Sequence, residues 1–581
     1  MAVLGENPKS VMVSIPLVEC GSIVRWIAVL VLLTACLAGA DASENLSDSQ
    51  ASVAPTSLPT GQAPGLNQPL PQLVEIQQAA SSLKIVQPGE VVGQIKMGYP
   101  VNYDRVYIAG DLDLSNLEKP VSEPISITNS TINGTLNLAG SIFQEPVDLR
   151  GNIIAGQADF SSANFASDCR FSSSRFMKEA DFKLSKFAEI ASFRNVNFSE
   201  LVDFSYAQFG KLATFEGASF WGDVSYLSAQ FRGDTSFESA HFIKLVDFEF
   251  AQFSQLLSFW KAVFSSETSF ANAQISGTSN FMSTRFEGNV TFMGARFGAD
   301  VTFSRAQFDQ TAIFGLANFN GFTDFSRVIF KGAAIFAVTK FTDNARFVDS
   351  RFDQDLIMES ARIYSLELGN ATYGQDSLLS LKGADFTRLI ARWDTIKDHM
   401  VFDGAAYLAL VKNYKNLEWM DDANECYYQY RKIGQSIKPW DFEKIVDIVS
   451  WVSCGYGVKP SFTILWSLFF IFLFGIWFWK GNGIRKFGED DLQKIKTMES
   501  MTSQQIEALQ ESAVRSQPTR TQTASLIDSM YFSAMNFTAQ APANIYPVGH
   551  YRHLGMIEGM LGWFFLGLFV VVLSGTLIGV V

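Results

Sequence analysis

From residue 160 to residue 352 a large side chain returns at gaps of alternately five and six residues. The run begins Phe160, Phe165, Phe171, Phe176, Phe182 and Phe187 and holds without slippage to Phe352; of its 36 positions 34 are Phe, the exceptions being Tyr226 and Ile275. Aliphatic residues extend it upstream through Ile127, Ile132, Leu138, Phe143, Leu149 and Ile154. A small residue stands two places before nearly every rung, as at Ala158, Ala163, Cys169, Ser174 and Ala180. Neither a 3.6-residue nor a 2-residue period produces this spacing, so the segment is neither a set of helices nor a sandwich. A chain that turns a corner every five or six residues points one large and one small side chain inward per face. Such a coil cannot bury its inward face alone, so coils must stack. With two undecapeptides per turn, residues 127–386 form a rod on the order of 55 Å long at about 4.8 Å per coil. One undecapeptide per turn doubles that, and the spacing alone leaves both open.

The stretches "ADFSSANF", "VDFSYAQF" and "VTFSRAQF" resemble the pentapeptide-repeat family in its Phe-centred variant, over about half of the chain. The resemblance implies a mainly β fold, a right-handed quadrilateral β-helix. It says little about activity. Soluble members of that family include DNA mimics that bind gyrase, a role at odds with the apolar stretches described next. Cys169 stands at an inward small-residue position and reads as packing, and the phenylalanines read as core.

Phenylalanine is the compositional outlier, with 52 copies, whereas histidine occurs four times. No HExxH, paired CxxC, GxSxG, Walker or GxGxxG pattern is present, so neither an enzyme nor a cofactor is expected. A net charge of −13 argues against a nucleic-acid partner. Three apolar stretches stand out. "WIAVLVLLTACLAGA" (26–40) follows Arg25 and suits the apolar region of an export signal. Residues 1–40 therefore read as a signal peptide or signal anchor, and "LTAC" also resembles a lipobox that would lipidate Cys36. The stretches at 461–479 and 559–581 are long enough to cross a bilayer and carry no charge. Trp477 and Trp479 before Lys480 look like an interfacial belt. These features predict a multi-pass protein of the cell membrane. Cys20 and Cys36 lie at or before the signal; Cys426 and Cys454 read either as a disulfide, if exported, or as two buried thiols.

The expected order is a disordered linker and solenoid cap at 41–95, the β-helix at 96–392, a helical adaptor at 393–458, a first span at 459–480, a charged loop at 481–523, a pore-helix and filter-like loop at 524–549, and a second span at 556–581. Residues 41–72 are rich in Ser, Ala, Pro, Gln and Gly. Within the adaptor, Leu408, Leu410, Val411, Tyr414 and Leu417, then Ala423, Cys426, Tyr427 and Tyr430, recur at helical spacing. They predict a helical hairpin of the tetratricopeptide sort that caps the solenoid. Asp441 then precedes an amphipathic run of Ile445, Ile448, Val449 and Val452, which reads either as a helix lying in the membrane interface or as a connector packed on the hairpin.

Between the spans, "SMYFSAMNFT" followed by "IYPVG" resembles the two-transmembrane potassium-channel family over about 120 residues. That resemblance implies a pore helix dipping into the bilayer, a tetramer and a permeant monovalent cation. The family filter reads Thr-x-Gly-Tyr-Gly-Asp. Here Thr538 precedes it, and Ala539, Gln540, Ala541, Pro542, Ala543 and Asn544 occupy its positions. Carbonyls aimed at one axis need backbone with positive φ, which alanine disfavours, and Pro542 restricts both itself and Ala541. Potassium selectivity is therefore not expected. A wider pore lined by Thr538, Gln540 and Asn544, a non-conducting relic, and a plain membrane hairpin remain. Gly562 and Gly567 stand as gating hinges or packing contacts, and Glu558 as a vestibule or interfacial charge. Lys480, Arg485, Lys486, Lys494 and Lys496 follow the first span, against Lys438, Lys444 and Lys459 before it. This bias puts the loop inside and the solenoid outside the cell. The expected function is ion conduction of low or unusual selectivity; the alternative is a membrane-anchored scaffold or adhesion rod.

Overall fold

A computed structural model describes residues 82–115, 117–486, 522–540, 542 and 544–578. The signal-like stretch 26–40 with Cys20 and Cys36, the linker 41–72, Lys494, Lys496, Ala541 and Ala543 lie outside the described residues.

Two-residue strands follow one another through the repeat region, and each pairs in parallel with the strand 22 residues on: Ile154 with Phe176, Ala158 with Ala180, Phe165 with Phe187, Cys169 with Ala191. One turn of the solenoid is therefore two undecapeptides and carries four short strands. One ladder stacks 14 strands, which at about 4.8 Å each spans about 60 Å. The backbone closes onto adjacent turns, as when Phe160 N donates to Asp181 O at 2.7 Å and Asn164 N to Ser141 O at 2.9 Å.

Inside, the rings form columns along the axis. Phe160 stacks on Phe182 at 4.5 Å and Phe182 on Phe204 at 4.6 Å. A facing column, Phe171 over Phe193 over Phe215, stacks at 4.9 and 4.8 Å and meets the first edge-on, with Phe160 and Phe171 5.2 Å apart at 82°. Aromatic pairs favour both arrangements. Small inward positions leave room for the rings, and several polar ones bond back to the preceding turn: Ser174 Oγ donates to Leu149 O, Thr284 Oγ1 to Phe259 O, Ser350 Oγ to Phe325 O. Cys169 is buried among them, and burial pushes its thiol pKa up. Corners recur every 11 residues in left-handed backbone, and they include Leu184 at φ 58°, Phe250 at 56° and Val338 at 58°. L-residues disfavour that region; bonds to the next turn hold them there, such as Val338 N to Glu359 O at 2.8 Å.

Stacked strands leave unpaired edges only at the ends, which need covering. At the front, strand Lys84–Val86 starts the 14-stranded ladder, ahead of the expected start at 96, and helix α1 (Pro88–Lys96) buries Val91 and Ile95. At the rear, strands Arg362–Glu367 and Asp385–Ile390 lead into the short helix α2 (Trp393–Ile396) and the hairpin α3 (Gly404–Asn416) and α4 (Met420–Ile437). Tyr407, Leu410, Tyr414, Ala423 and Cys426 of that hairpin belong to the same core as the phenylalanine columns. Leu408, expected inward, is exposed, and Tyr407 takes the buried position beside it. Cys426 and Cys454 are free buried thiols. Helix α5 (Phe442–Cys454) is capped by Asp441, whose Oδ1 accepts from Lys444 N at 2.9 Å. Next come α6 (Pro460–Lys480), α7 (Leu526–Phe537) and α8 (Tyr551–Ile578). Of these, α6 and α8 are long and apolar enough to cross a membrane.

The stacking generates two predictions. Tyr226 sits in a phenylalanine column, 5.0 Å from Phe204 and 4.8 Å from Phe248, with its hydroxyl buried and unpartnered by any described residue. Tyr226→Phe is expected to stabilise the solenoid by about 1 kcal/mol, read as a raised midpoint in denaturant. Second, Asp159, Asp181 and Asp203 stack in register, and burial first, then its two like-charged neighbours, raise the pKa of Asp181. A carboxyl whose folded pKa is raised favours folding below its unfolded pKa and loses that contribution as pH rises. Asp181→Asn keeps the turn acceptor, as Asn137 does for Ala139 N at 3.1 Å. It is expected to stabilise by a few tenths of a kcal/mol to about 1 kcal/mol at pH 7, with the gain vanishing below about pH 3.9.

Candidate functional site

Helix α7 begins with a capping box: Ser525 Oγ accepts from Asp528 N at 3.2 Å, and Asp528 Oδ2 accepts from Ser525 N at 2.9 Å. Asp528 also pairs with Lys486 at 2.5 Å. Around this entry a three-stranded antiparallel sheet joins Ile484–Lys486, Gln522–Thr523 and Ile545–Pro547. The end of α6, the start of α7 and the approach to α8 thus lie at one level. Gly481 and Gly483 are needed there, because a Cβ on either would strike the Tyr551 ring.

From that level α7 descends between the two long helices. Gly475 of α6 faces Met530, and Ser533 Oγ lies 2.8 Å from the Ile471 carbonyl oxygen. At the bottom, the Phe537 carbonyl lies where a Cβ of Gly562 would be. Gly562 is eleven residues into α8, about 16 Å along its axis, roughly half of a bilayer core. The close approach requires a glycine at 562, and α8 runs unbroken through it. Around Gly567 the space is open.

The helix then stops. Ala539 N donates to Asn536 O at 3.0 Å and Gln540 N to Met535 O at 2.7 Å, with Ala539 in left-handed backbone at φ 59°. This is a Schellman ending. Thr538 Oγ1 bonds inside the helix, to Ala534 O at 2.9 Å and Met535 O at 3.1 Å. Positive φ therefore falls on Ala539, where the helix is capped. Gln540 and Asn544 are exposed, and by Ile545 the chain is back at the sheet. Beneath the helix end is an apolar hollow of about 200 Å³, lined by Ile464, Leu468, Phe537, Phe565 and Phe569 among others.

Glu558 differs from its expected place. It is fully buried between α7 and α8, bonded by the Ser533 hydroxyl and, at 2.8 Å, by Asn536 Nδ2. A position seven residues into a helix looks peripheral in sequence. Only the descent of α7 alongside that turn encloses it.

Five polar links join one face of α4, with Lys438 just past its end, to α5 and the segment leading into α6. Glu425 meets Lys459; Tyr428 Oη accepts from Trp451 Nε1 at 2.8 Å; Arg431 pairs with Asp447 at 2.7 Å; Gln435 accepts from Tyr456; Lys438 pairs with Asp447 at 2.7 Å. The Lys438 ammonium, with Arg431, holds the Asp447 carboxyl below its ordinary range. Asp447 faces inward, whereas Phe442, Ile445, Val446 and Val449 of α5 are exposed, an apolar outer face of the kind that suits a lipid interface.

A family model described as pentapeptide repeats (9 copies) matches residues 138–186, 259–307 and 281–329, all within the solenoid. The chain thus carries pentapeptide repeats in a parallel β-solenoid. Neither the comparison with curated proteins nor that with solved structures returned a match.

The strained cap and the tight crossing predict opposite responses. Ala539→Gly is expected to stabilise by about 0.5–1 kcal/mol, whereas Gly562→Ala forces α7 and α8 apart and is expected to cost several times more. Thermal unfolding of the detergent-solubilised chain compares the two.

Proposed function

We propose that this chain is an integral membrane protein whose re-entrant segment conducts ions with low or unusual selectivity, coupled to the β-solenoid. The observation that carries the reading is the path of residues 522–540 and 544–547: strand, descending helix α7, turn, and return to the entry level between two helices long enough to span. Irregular backbone at such depth is tolerated where it lines water or is buried in protein. In this reading four copies surround one axis, and Thr538, Gln540, Pro542 and Asn544, with Ala539, Ala541 and Ala543, form the narrow passage for a monovalent cation. Gly567 is the hinge candidate, because Gly562 is committed to packing. The solenoid, with the right-handed four-sided coil its repeats imply, lies outside the cell, and the lipid bilayer is the other partner.

A second reading is favoured by one observation. The Thr538 hydroxyl is spent on its own helix, which fits a silent module that anchors the solenoid as a scaffold. Single-channel recording of the purified full chain in planar bilayers, under opposed potassium and sodium gradients, separates the two. Discrete openings reversing near zero are expected. Reversal at the potassium potential would overturn the selectivity argument, and silence over many fusions would favour the anchor.

A further inference from the structure

We infer that Glu558 is the positioning residue of the re-entrant segment: its carboxyl group closes a clasp that holds the end of α7 to both long helices and so sets where the Thr538–Asn544 loop stands. This rests on the reading of that loop as the conducting passage. The geometry is specific. Ser533 and Asn536 lie one turn apart on α7, so both reach the same side chain of α8. Ser533 Oγ bonds one carboxyl oxygen and lies 2.8 Å from the Ile471 carbonyl of α6; its single hydrogen serves that carbonyl when the Glu558 side chain is the donor to Ser533. Asn536 Nδ2 bonds the other oxygen at 2.8 Å and the Gly555 carbonyl of α8 at 2.7 Å, which uses both of its amide hydrogens.

Among the described residues no second ionisable side chain bonds to Glu558; its partners are the Ser533 hydroxyl and the Asn536 amide. A carboxyl group in an apolar helix is costly unless bonded, so it persists where it performs a task. Here it is completely enclosed, which excludes contact with a permeating ion, and Asn536 lies two residues before Thr538. Nearby, Gly562 leaves room for the Phe537 carbonyl, and Gly475 of α6 for Met530. Small residues thus bring the helices together, and the clasp fixes their register.

Glutamine retains an acceptor for Asn536 and a donor toward Ser533, whereas leucine fills similar volume with neither. The test places Gln540→Cys in the full chain, reconstituted in liposomes, and measures its reaction rate with a membrane-impermeant thiol reagent, corrected for the chain without that substitution. Glu558→Leu is expected to change the rate by at least tenfold and Glu558→Gln by less than twofold. If Glu558→Leu fails to fold, Asn536→Leu, which removes one arm of the clasp, is expected to shift the rate in its place. Equal rates for the parent, Glu558→Leu and Asn536→Leu would overturn the proposal, as would equal changes for Glu558→Leu and Glu558→Gln. Labelling does not require current, so a silent bilayer recording would defeat the conduction reading while leaving this contrast to decide the clasp.

Discussion

Stacked phenylalanine rings and parallel strand pairing repeat at nearly the same rise, and the solenoid depends on that match. Rings 22 residues apart stand 4.5–5.3 Å from one another, close to the spacing of neighbouring strands. Each turn can therefore complete its backbone hydrogen bonds and seat its rings without tilting either. The corners in left-handed backbone are tolerated because the turns above and below hold them. Every turn also inherits an exposed face from its neighbour, so the difficulty of an uncovered edge passes along the coil to its two ends. There the chain changes character, to α1 at the front and to the α3–α4 hairpin at the rear.

The same hairpin is where the solenoid meets the membrane-side helices. One face of α4 buries Ala423 and Cys426 in the end of the core, with Tyr427 and Tyr430 half-buried against it, while another carries the polar links to α5 and the segment leading into α6. A helix committed on both faces has little freedom to rotate without breaking one set of contacts. Among α6, α7 and α8, close approach replaces large apolar side chains: glycines at 475, 481, 483 and 562 admit a sulfur, a ring or a carbonyl where a Cβ would stand. Such packing suits helices in lipid, where burial of apolar surface gives little drive and contact geometry gives most of it.

How much could be read beforehand differs along the chain. The solenoid was legible because inward positions recur at fixed intervals, and even the exceptions at Tyr226 and Ile275 keep their places. The length of a turn was not, since one or two undecapeptides satisfy the same ladder; strand pairing at an offset of 22 residues decided it. In the adaptor, helical spacing located the hairpin but placed Leu408 inward, because neighbouring apolar residues on one helix do not reveal which of them the solenoid end covers. After α7, Pro542 and the alanines argued against a stack of carbonyls, and among the described residues of that loop the one in left-handed backbone is Ala539, chosen by where the helix ends.

By itself the sequence determined that turns must stack, that two apolar segments are long enough to span, and that a short helix followed by a turn lies between them. Those features follow from the order of side chains along a local path. Only the tertiary structure decided that α7 descends between the two long helices, that Gly562 receives a carbonyl, and that Glu558 is enclosed by Ser533 and Asn536. Those relations join residues 22 or more positions apart, and burial of a single polar side chain depends on which surface arrives over it.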